Sequence, residues 1–210
     1  MPQTPPADTP PRRGLRERKK EHSYRTIADS AYALAVEHGL EHVTIDQIAD
    51  LAFVSPRTVS NYFTSKEAAI VAAHDNAPVT MLTGLDERPL DEAPLESLRI
   101  VLTGVIRNWS REQLKALKEK EALVEKYPAL LPHRMAQWDA LEDAIRIALA
   151  ERMGVDAETT PFPRLVAGAA TTAVKTAIRV WANTGGTAKT IADLVDQAFI
   201  DLEAGLSPDA

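Results

Sequence analysis

A short polar stretch between residues 55 and 66 carries side chains that suit hydrogen bonding to DNA. Each residue in this set either carries a guanidinium, amide, ammonium or hydroxyl group or, in the case of the proline, begins a helix. The set consists of Ser55, Pro56, Arg57, Thr58, Ser60, Asn61, Tyr62 and Lys66. An arginine can donate two hydrogen bonds to guanine, and an asparagine can pair with the edge of adenine. Hydroxyl groups and helix N-termini usually bind phosphate oxygens, so Thr44, Tyr62 and Lys66 are predicted phosphate contacts. A surface salt bridge is the alternative for Arg57.

Two short helices joined by a tight turn are predicted to position these side chains. Thr44, followed three residues later by Gln47, is a capping-box pattern that begins the first helix. Ser55-Pro56 pairs an N-cap serine with a proline at the first helical position, and it begins a second helix that runs to about Tyr62. Val59 is the one clearly apolar position within this helix. The pattern predicts a helix-turn-helix whose second helix presents polar groups to the major groove.

The charge distribution divides the chain into two parts. The net charge is −6, which taken alone argues against a nucleic-acid partner. Residues 1–70, however, hold nine basic and nine acidic side chains, whereas residues 71–210 hold fifteen and twenty-one. Seven basic residues fall within 12–25, and Arg16 among them is a predicted DNA contact, with a solvated charge run as the alternative. The first part is therefore the candidate anion-binding region.

The stretch from Gly39 to Glu67 resembles the DNA-binding region of the TetR family of bacterial transcriptional regulators. The matching positions are Gly39, Thr44, Ile48, Ala49, Ala52, Val54, Ser55, Thr58, Tyr62, Phe63, Lys66 and Glu67. One position departs from the family pattern, because the family usually has Gly or a small polar residue where this chain has Phe53. A phenylalanine in a left-handed turn is strained. We therefore expect either a right-handed turn or a Phe53 ring that packs onto the first helix of the motif.

The resemblance implies an all-helical fold of about nine helices and a homodimer. Family members usually dimerise through their last two helices, which correspond here to about 163–182 and 188–204. A two-fold dimer suits a palindromic operator in double-stranded DNA. Most members repress transcription and release DNA when a small effector enters the second domain. The sequence does not separate a repressor from an activator, and a helical adaptor or enzyme that uses the fold without DNA is the alternative from another class.

Three segments are predicted: a disordered proline-rich tail at 1–15, a DNA-binding domain at 16–76 and a ligand-binding and dimerisation domain at 90–206. Gly, Pro and acidic residues near 76–94 indicate a loose connection between the two domains.

The segments 150–156, 163–170 and 179–186 resemble the C-terminal domain of regulators associated with mycofactocin loci, a group linked to acyl-coenzyme A. The resemblance thus implies an acyl-CoA or another apolar molecule as the effector.

The effector site needs an apolar cavity with a few convergent polar groups. Trp109, Met135 and Trp138 are the candidate apolar walls. The candidate anion-binding side chains are Arg107, Arg134, Lys175 and Arg179. Core packing is the alternative for the apolar residues, and a solvated edge or salt bridges across a dimer are the alternatives for Lys175 and Arg179.

The remaining residue types argue against other classes of protein. The chain has no Cys, and its five His residues do not complete a metal-site pattern, so neither a metal nor a cofactor is expected. The common nucleotide-binding and nucleophile motifs are absent, so no catalytic residue is predicted. No apolar run is long enough for a membrane helix. Arg12-Arg13 is followed by no apolar stretch, so a cytoplasmic protein is expected.

Overall fold

The computed structural model describes residues 15–74 and 78–206, which form ten α-helices and two short 3-10 turns. None of these residues lies in a β-strand, so the all-α prediction is confirmed. The helices are α1 (Leu15–His38), α2 (Ile45–Leu51), α3 (Pro56–Tyr62), α4 (Lys66–Ala72), α5 (Pro78–Met81), α6 (Pro94–Arg107), α7 (Arg111–Lys126), α8 (Leu131–Met153), α9 (Pro161–Thr184) and α10 (Ala188–Glu203). The helix that the sequence did not predict is α5. Residues 1–14 of the predicted tail lie outside the described residues.

The described residues up to Ala73 form one compact unit around α1. Ile27 and Ala31 on α1 are completely buried, as are Ile48 on α2, Val59 on α3 and Ala69 on α4. These are the positions that helical periodicity assigns to the inner face of each helix. Three short helices of seven residues each are too short to be stable alone, so their packing on α1 supplies most of their stability.

Local side-chain hydrogen bonds fix where the short helices begin. The Gln47 backbone N–H donates to Thr44 Oγ1 at 3.2 Å, and the Thr44 N–H donates to Gln47 Oε1 at 2.9 Å, which confirms the capping box. The Thr58 N–H donates to Ser55 Oγ at 3.1 Å at the start of α3. Gly39, with φ of 83°, ends α1 in a conformation that favours glycine.

The described residues from His74 onward form a second compact unit with its own core. The helix α10 packs on α6 and α9, and α8 packs on α9. Leu98, Ile145, Ile191 and Phe199 are completely buried in this core. Gly154, with φ of 65°, ends α8 as the sequence predicted. No helix in the described ranges has the length and apolar character needed to cross a membrane.

The link between α5 and α6 is held by a single arginine of α8. The Arg152 guanidinium donates to the carbonyl oxygens of Leu85 at 3.2 Å and Arg88 at 3.0 Å, and also to that of Pro89. In the same link, the Arg88 guanidinium binds the Glu92 carboxylate. The described part of the stretch interpreted as a loose connection therefore has a defined conformation.

Candidate nucleic-acid interface and effector cavity

The turn between α2 and α3 has a left-handed residue at Phe53. The Phe53 N–H donates to the Asp50 carbonyl at 3.2 Å, and the Val54 N–H donates to the Ala49 carbonyl at 2.9 Å. This pair of hydrogen bonds ends a helix in a Schellman motif, which requires a residue with positive φ between them. Phe53 takes that place with φ of 54°, and its side chain is 95% exposed.

Both expectations for Phe53 are therefore wrong. The turn is not right-handed, because the two hydrogen bonds that close α2 require the left-handed conformation. The ring does not pack onto α2, because it projects into solvent. The left-handed conformation of a phenylalanine costs about 1–2 kcal/mol.

The helix α3 buries one side and exposes the other. Val59 is completely buried, whereas Arg57, Ser60 and Asn61 are exposed. The Ser60 hydroxyl donates to the Pro56 carbonyl at 3.2 Å, so it remains on the helix surface. Arginine and asparagine side chains one turn apart on one short helix can reach neighbouring base edges in the major groove. The roles predicted for these side chains stay predictions that this exposed face supports.

Several of the predicted DNA contacts also hold the unit together. The Ser55 and Thr58 hydroxyls are hydrogen-bonded to each other at 2.8 Å, and both lie at the exposed start of α3 with Pro56. The Thr44 hydroxyl closes the capping box of α2. Tyr62 is half-buried. The backbone N–H groups of Thr44 and Thr58 already donate within the unit, so the DNA contacts proposed for these residues stay predictions.

Lys66 has a structural role that its position in the sequence did not reveal. Its Nζ donates to the carbonyl oxygens of Leu40 and Val43, each at 2.8 Å. The side chain is half-buried and ties the start of α4 to the turn that follows α1. An ammonium has three N–H donors, so two are already used within the protein. The predicted phosphate contact stays a prediction, with one donor and the helix N-terminus still to make it.

The first turns of α1 carry exposed positive charge. Arg16, Arg18, Lys19 and Lys20 are all exposed. Arg25, farther along the helix, forms an ion pair with Glu21 at 2.6 Å. The basic residues from Arg16 onward are therefore part of a helix, which presents them at fixed positions, and the role of Arg16 at DNA stays a prediction.

The second unit contains a cavity of about 80 Å³ among α5, α7, α8 and α9. Its apolar walls come from Met81, Leu117, Trp138, Leu141, Val174 and Ile178. Its polar lining includes Gln113, Lys120, Arg134 and Gln137. An apolar chamber with a few convergent polar groups is the usual form of a small-molecule site.

Two positively charged side chains of this cavity are almost completely buried. Lys120 is 4% exposed and Arg134 is 7% exposed. The Arg134 guanidinium binds one Glu121 carboxylate oxygen through Nε at 2.9 Å, and its Nη1 donates to Gln137 Oε1 at 3.0 Å. It also lies 4.3 Å from the centroid of the Trp138 ring, in a cation–π contact. The arginine is thus held rigidly, with one face on an aromatic wall.

The indole N–H of Trp109 lacks an acceptor among the described residues. Its Nε1 is buried, and none of the described residues accepts a hydrogen bond from it. A buried donor without a partner costs about 1–3 kcal/mol. Because Trp109 lines the cavity, a ligand that brings an acceptor atom would satisfy this donor.

The structure brings together three of the predicted effector contacts, namely Trp109, Arg134 and Trp138. The other four do not line this cavity: Arg107, Met135, Lys175 and Arg179. Arg107 forms an exposed ion pair with Asp193 at 3.3 Å. Met135 and Arg179 are exposed, and Lys175 is half-buried on α9. Their predicted role in binding the effector therefore has no support from the shape of the cavity.

Sequence reasoning missed Lys120, Gln113 and the walls that α5 and α9 supply. A signal for Lys120 was present, because it lies three residues after Leu117 and six after Leu114, on the apolar stripe of α7. A lysine on the buried stripe of a helix is uncommon and often functional. Val174 and Ile178 gave no such signal, since they look like any other core residue of α9.

These features together define a helix-turn-helix transcriptional regulator with a helical second domain. Two family models match the chain: bacterial regulatory proteins of the tetR family at residues 27–73, and the MftR C-terminal domain at residues 92–207. The chain belongs to the TetR family of transcriptional regulators, as the sequence resemblance indicated. The matched family model describes bacterial regulatory proteins, and the curated relative is a transcriptional regulator.

The chain is similar to a curated regulator and to solved structures of the same class. It is 31% identical over 164 residues to the HTH-type transcriptional regulator TcmR of Streptomyces glaucescens, covering 75% of this chain and 72% of that protein. A TetR-family regulator from Syntrophomonas wolfei aligns with a TM-score of 0.56 and 18% identity over 91% of this chain and all of the other. One from Mesorhizobium loti aligns with a TM-score of 0.53 and 19% identity over 89% and 98%. The two structures support the all-helical fold.

Proposed function

We propose that the protein is a homodimeric repressor that binds a palindromic operator through α3 and is released by a small effector with an apolar body. The observation that carries the DNA-binding part is the exposed face of α3. Arg57, Ser60 and Asn61 lie on a helix anchored by the buried Val59. Such a helix contributes little to the core and is suited to act as a recognition helix in the major groove.

The last two long helices support the proposal of a homodimer. Along α9, Leu165 is 70% exposed and Val180 is 43% exposed. Gly168 and Ala169 lie between them and are half-buried, and small residues allow two helices to approach closely. On α10, Ile200 is 42% exposed. A second copy that covers these side chains would bury apolar surface and give the dimer two copies of α3, one for each half of a palindromic operator.

The cavity of the second unit supports the proposal of an effector. A ligand can release DNA only if it binds the state that does not bind DNA more tightly, and each factor of ten requires about 1.4 kcal/mol of preference. The resemblance to regulators linked to acyl-coenzyme A makes an acyl-CoA one candidate effector. The enclosed apolar walls suit any ligand with an apolar body.

The test of DNA binding uses the purified full chain and the intergenic DNA that flanks its own gene. Fluorescence anisotropy is measured at several salt concentrations, with scrambled DNA of the same length as competitor. We expect tight binding that weakens as salt rises. Arg57→Ala should weaken specific binding about five- to 150-fold for each half-site of the operator, because a bidentate arginine–guanine contact is worth about 1–3 kcal/mol. Binding to scrambled DNA should change far less.

Arg111→Ala is the matched control, because Arg111 is an exposed arginine on α7 in the second unit. It removes the same charge without touching α3 and should leave operator affinity unchanged. Equal binding to flanking and scrambled DNA, for the wild type as for Arg57→Ala, would show that this DNA is not an operator. If a genome-wide selection then also recovered no preferred sequence, the adaptor or enzyme alternative would replace the proposed function.

A further inference from the structure

Phe53, in the turn between α2 and α3, combines two features that are unusual in one side chain. Its φ of 54° is left-handed, which makes this bulky residue a backbone outlier. Its side chain is 95% exposed, more than that of any other large apolar residue in the described ranges. Backbone strain of this kind is concentrated at functional sites, so the observed outlier points to a function for the ring.

We propose that the Phe53 ring contacts the 5-methyl group of a thymine in the operator, at the side of the major groove where α3 begins. This inference rests on the proposed function, because it adds a base contact to the same DNA-binding surface. Arg57 and Asn61 are suited to guanine and adenine, and neither recognises a methyl group. The thymine methyl is the apolar group that the major groove offers, and phenylalanine is among the side chains suited to contact it.

The position of Phe53 in the chain brings it to the start of α3. It precedes Ser55, the N-cap of that helix, by two residues. Two residues of extended chain span about 7 Å at most. Ser55, Pro56 and Arg57 are exposed at this end of α3 and are predicted DNA contacts. A duplex that binds the start of α3 therefore lies near the Phe53 side chain.

The turn fixes the backbone that carries the ring. The Phe53 N–H donates to the Asp50 carbonyl at 3.2 Å, and the Val54 N–H donates to the Ala49 carbonyl at 2.9 Å. The preceding residue, Ala52, is buried in the core of the unit. A ring on a backbone held in this way loses little conformational entropy on binding. Removal of the ring from water by the DNA would then stabilise the complex.

The test removes one methyl group at a time from the DNA. The probe is a short duplex from the intergenic fragment that the wild type binds, in which each thymine in turn is replaced by deoxyuridine. This replacement deletes the 5-methyl group and keeps every hydrogen-bonding group of the base. Fluorescence anisotropy measures the affinity of the full chain for each duplex. We expect one thymine in each half-site whose replacement weakens wild-type binding about fourfold, the effect of one buried methyl group.

Phe53→Ala identifies the side chain that contacts this methyl group. The variant should weaken binding to the thymine duplex about tenfold for each half-site, because most of the buried ring surface is lost. It should bind the deoxyuridine duplex as tightly as the thymine duplex, since the ring that contacts the methyl group is gone. The slope of log affinity against log salt should stay at the wild-type value, because the ring neutralises no phosphate.

Leu90→Ala is the matched control, because Leu90 is 80% exposed and lies in the second unit, in the link before α6. It removes a similar apolar surface without changing the helix-turn-helix, and it should distinguish the two duplexes as the wild type does. Circular dichroism and urea unfolding establish that each variant is folded. If Phe53→Ala does not fold, Phe53→Gly takes its place with the same expected loss of affinity.

The inference is overturned if a folded Phe53→Ala binds the thymine duplex as tightly as the wild type does, which would leave the ring to a partner other than DNA. It is also overturned if no thymine shows the loss, or if deoxyuridine weakens Phe53→Ala as much as the wild type. A wild type that prefers no DNA sequence would overturn the proposed function together with this inference. Equal, sequence-specific binding by the wild type and Phe53→Ala would overturn the thymine contact alone.

Discussion

A substitution at Lys66 tests whether a residue predicted to contact DNA also stabilises the folded protein. The perturbation is Lys66→Met, which keeps most of the stem and removes the ammonium. In the structure this ammonium donates two hydrogen bonds of 2.8 Å, to the Leu40 and Val43 carbonyl oxygens. Those bonds join residues 26 and 23 positions apart in sequence. The variant should therefore destabilise the first unit as a whole.

The expected magnitude follows from the two bonds. A hydrogen bond to a charged group contributes about 1.5–3 kcal/mol. The Leu40 carbonyl keeps a second partner, because it also accepts from the Val43 N–H at 3.3 Å. Water can reach part of this site, since Lys66 is half-buried. We therefore expect a total loss of about 2–3 kcal/mol, which corresponds to a fall of about 1 M in the urea midpoint.

The assay is urea unfolding followed by far-UV circular dichroism, together with the salt dependence of operator binding. Lys20→Met is the control, because Lys20 is an exposed lysine of the same unit, and it should unfold at the wild-type midpoint. If Lys66 also binds a phosphate, the slope of log affinity against log salt falls by about 0.9 for the variant. An unchanged urea midpoint for Lys66→Met would refute the reasoning, whatever the salt slope.

Two further predictions test the strained turn and the link before α6. Phe53→Gly should raise the free energy of unfolding by up to about 1 kcal/mol, because relief of the positive-φ strain exceeds the entropy that glycine loses on folding. Phe53→Ala, which keeps the strain, should give no gain in urea unfolding, and equal stabilities of the two variants would contradict the idea. The pKa of Glu92 is lowered to about 2, first by its hydrogen bond from Arg88 and then by that from Ser97. A lowered folded-state pKa gives stability that is present above the ordinary value near 4.5 and is lost as pH falls toward 2, so Glu92→Gln should lose less stability over this interval than the wild type. Parallel loss of stability in both proteins would show that Glu92 is not responsible.

Local signals in the sequence determined the elements of the DNA-binding unit. The Thr44–Gln47 capping box and the Ser55-Pro56 start each depend on residues at most three positions apart. Helical periodicity likewise identified Val59 as the buried position of α3, and so identified the exposed face as well. Such features can be predicted because their physical causes lie within one or two helical turns.

Contacts between distant segments were decided only by the tertiary structure. The sequence offered several arginines and lysines as effector contacts, yet only the packing of α7 against α8 shows that Lys120 and Arg134 meet at one cavity. The same holds for Lys66, because its partners Leu40 and Val43 precede α2 and α3 in the sequence. A periodic pattern predicts which face of a helix is buried. It does not predict which other helix covers that face, because this depends on packing between surfaces that are far apart along the chain.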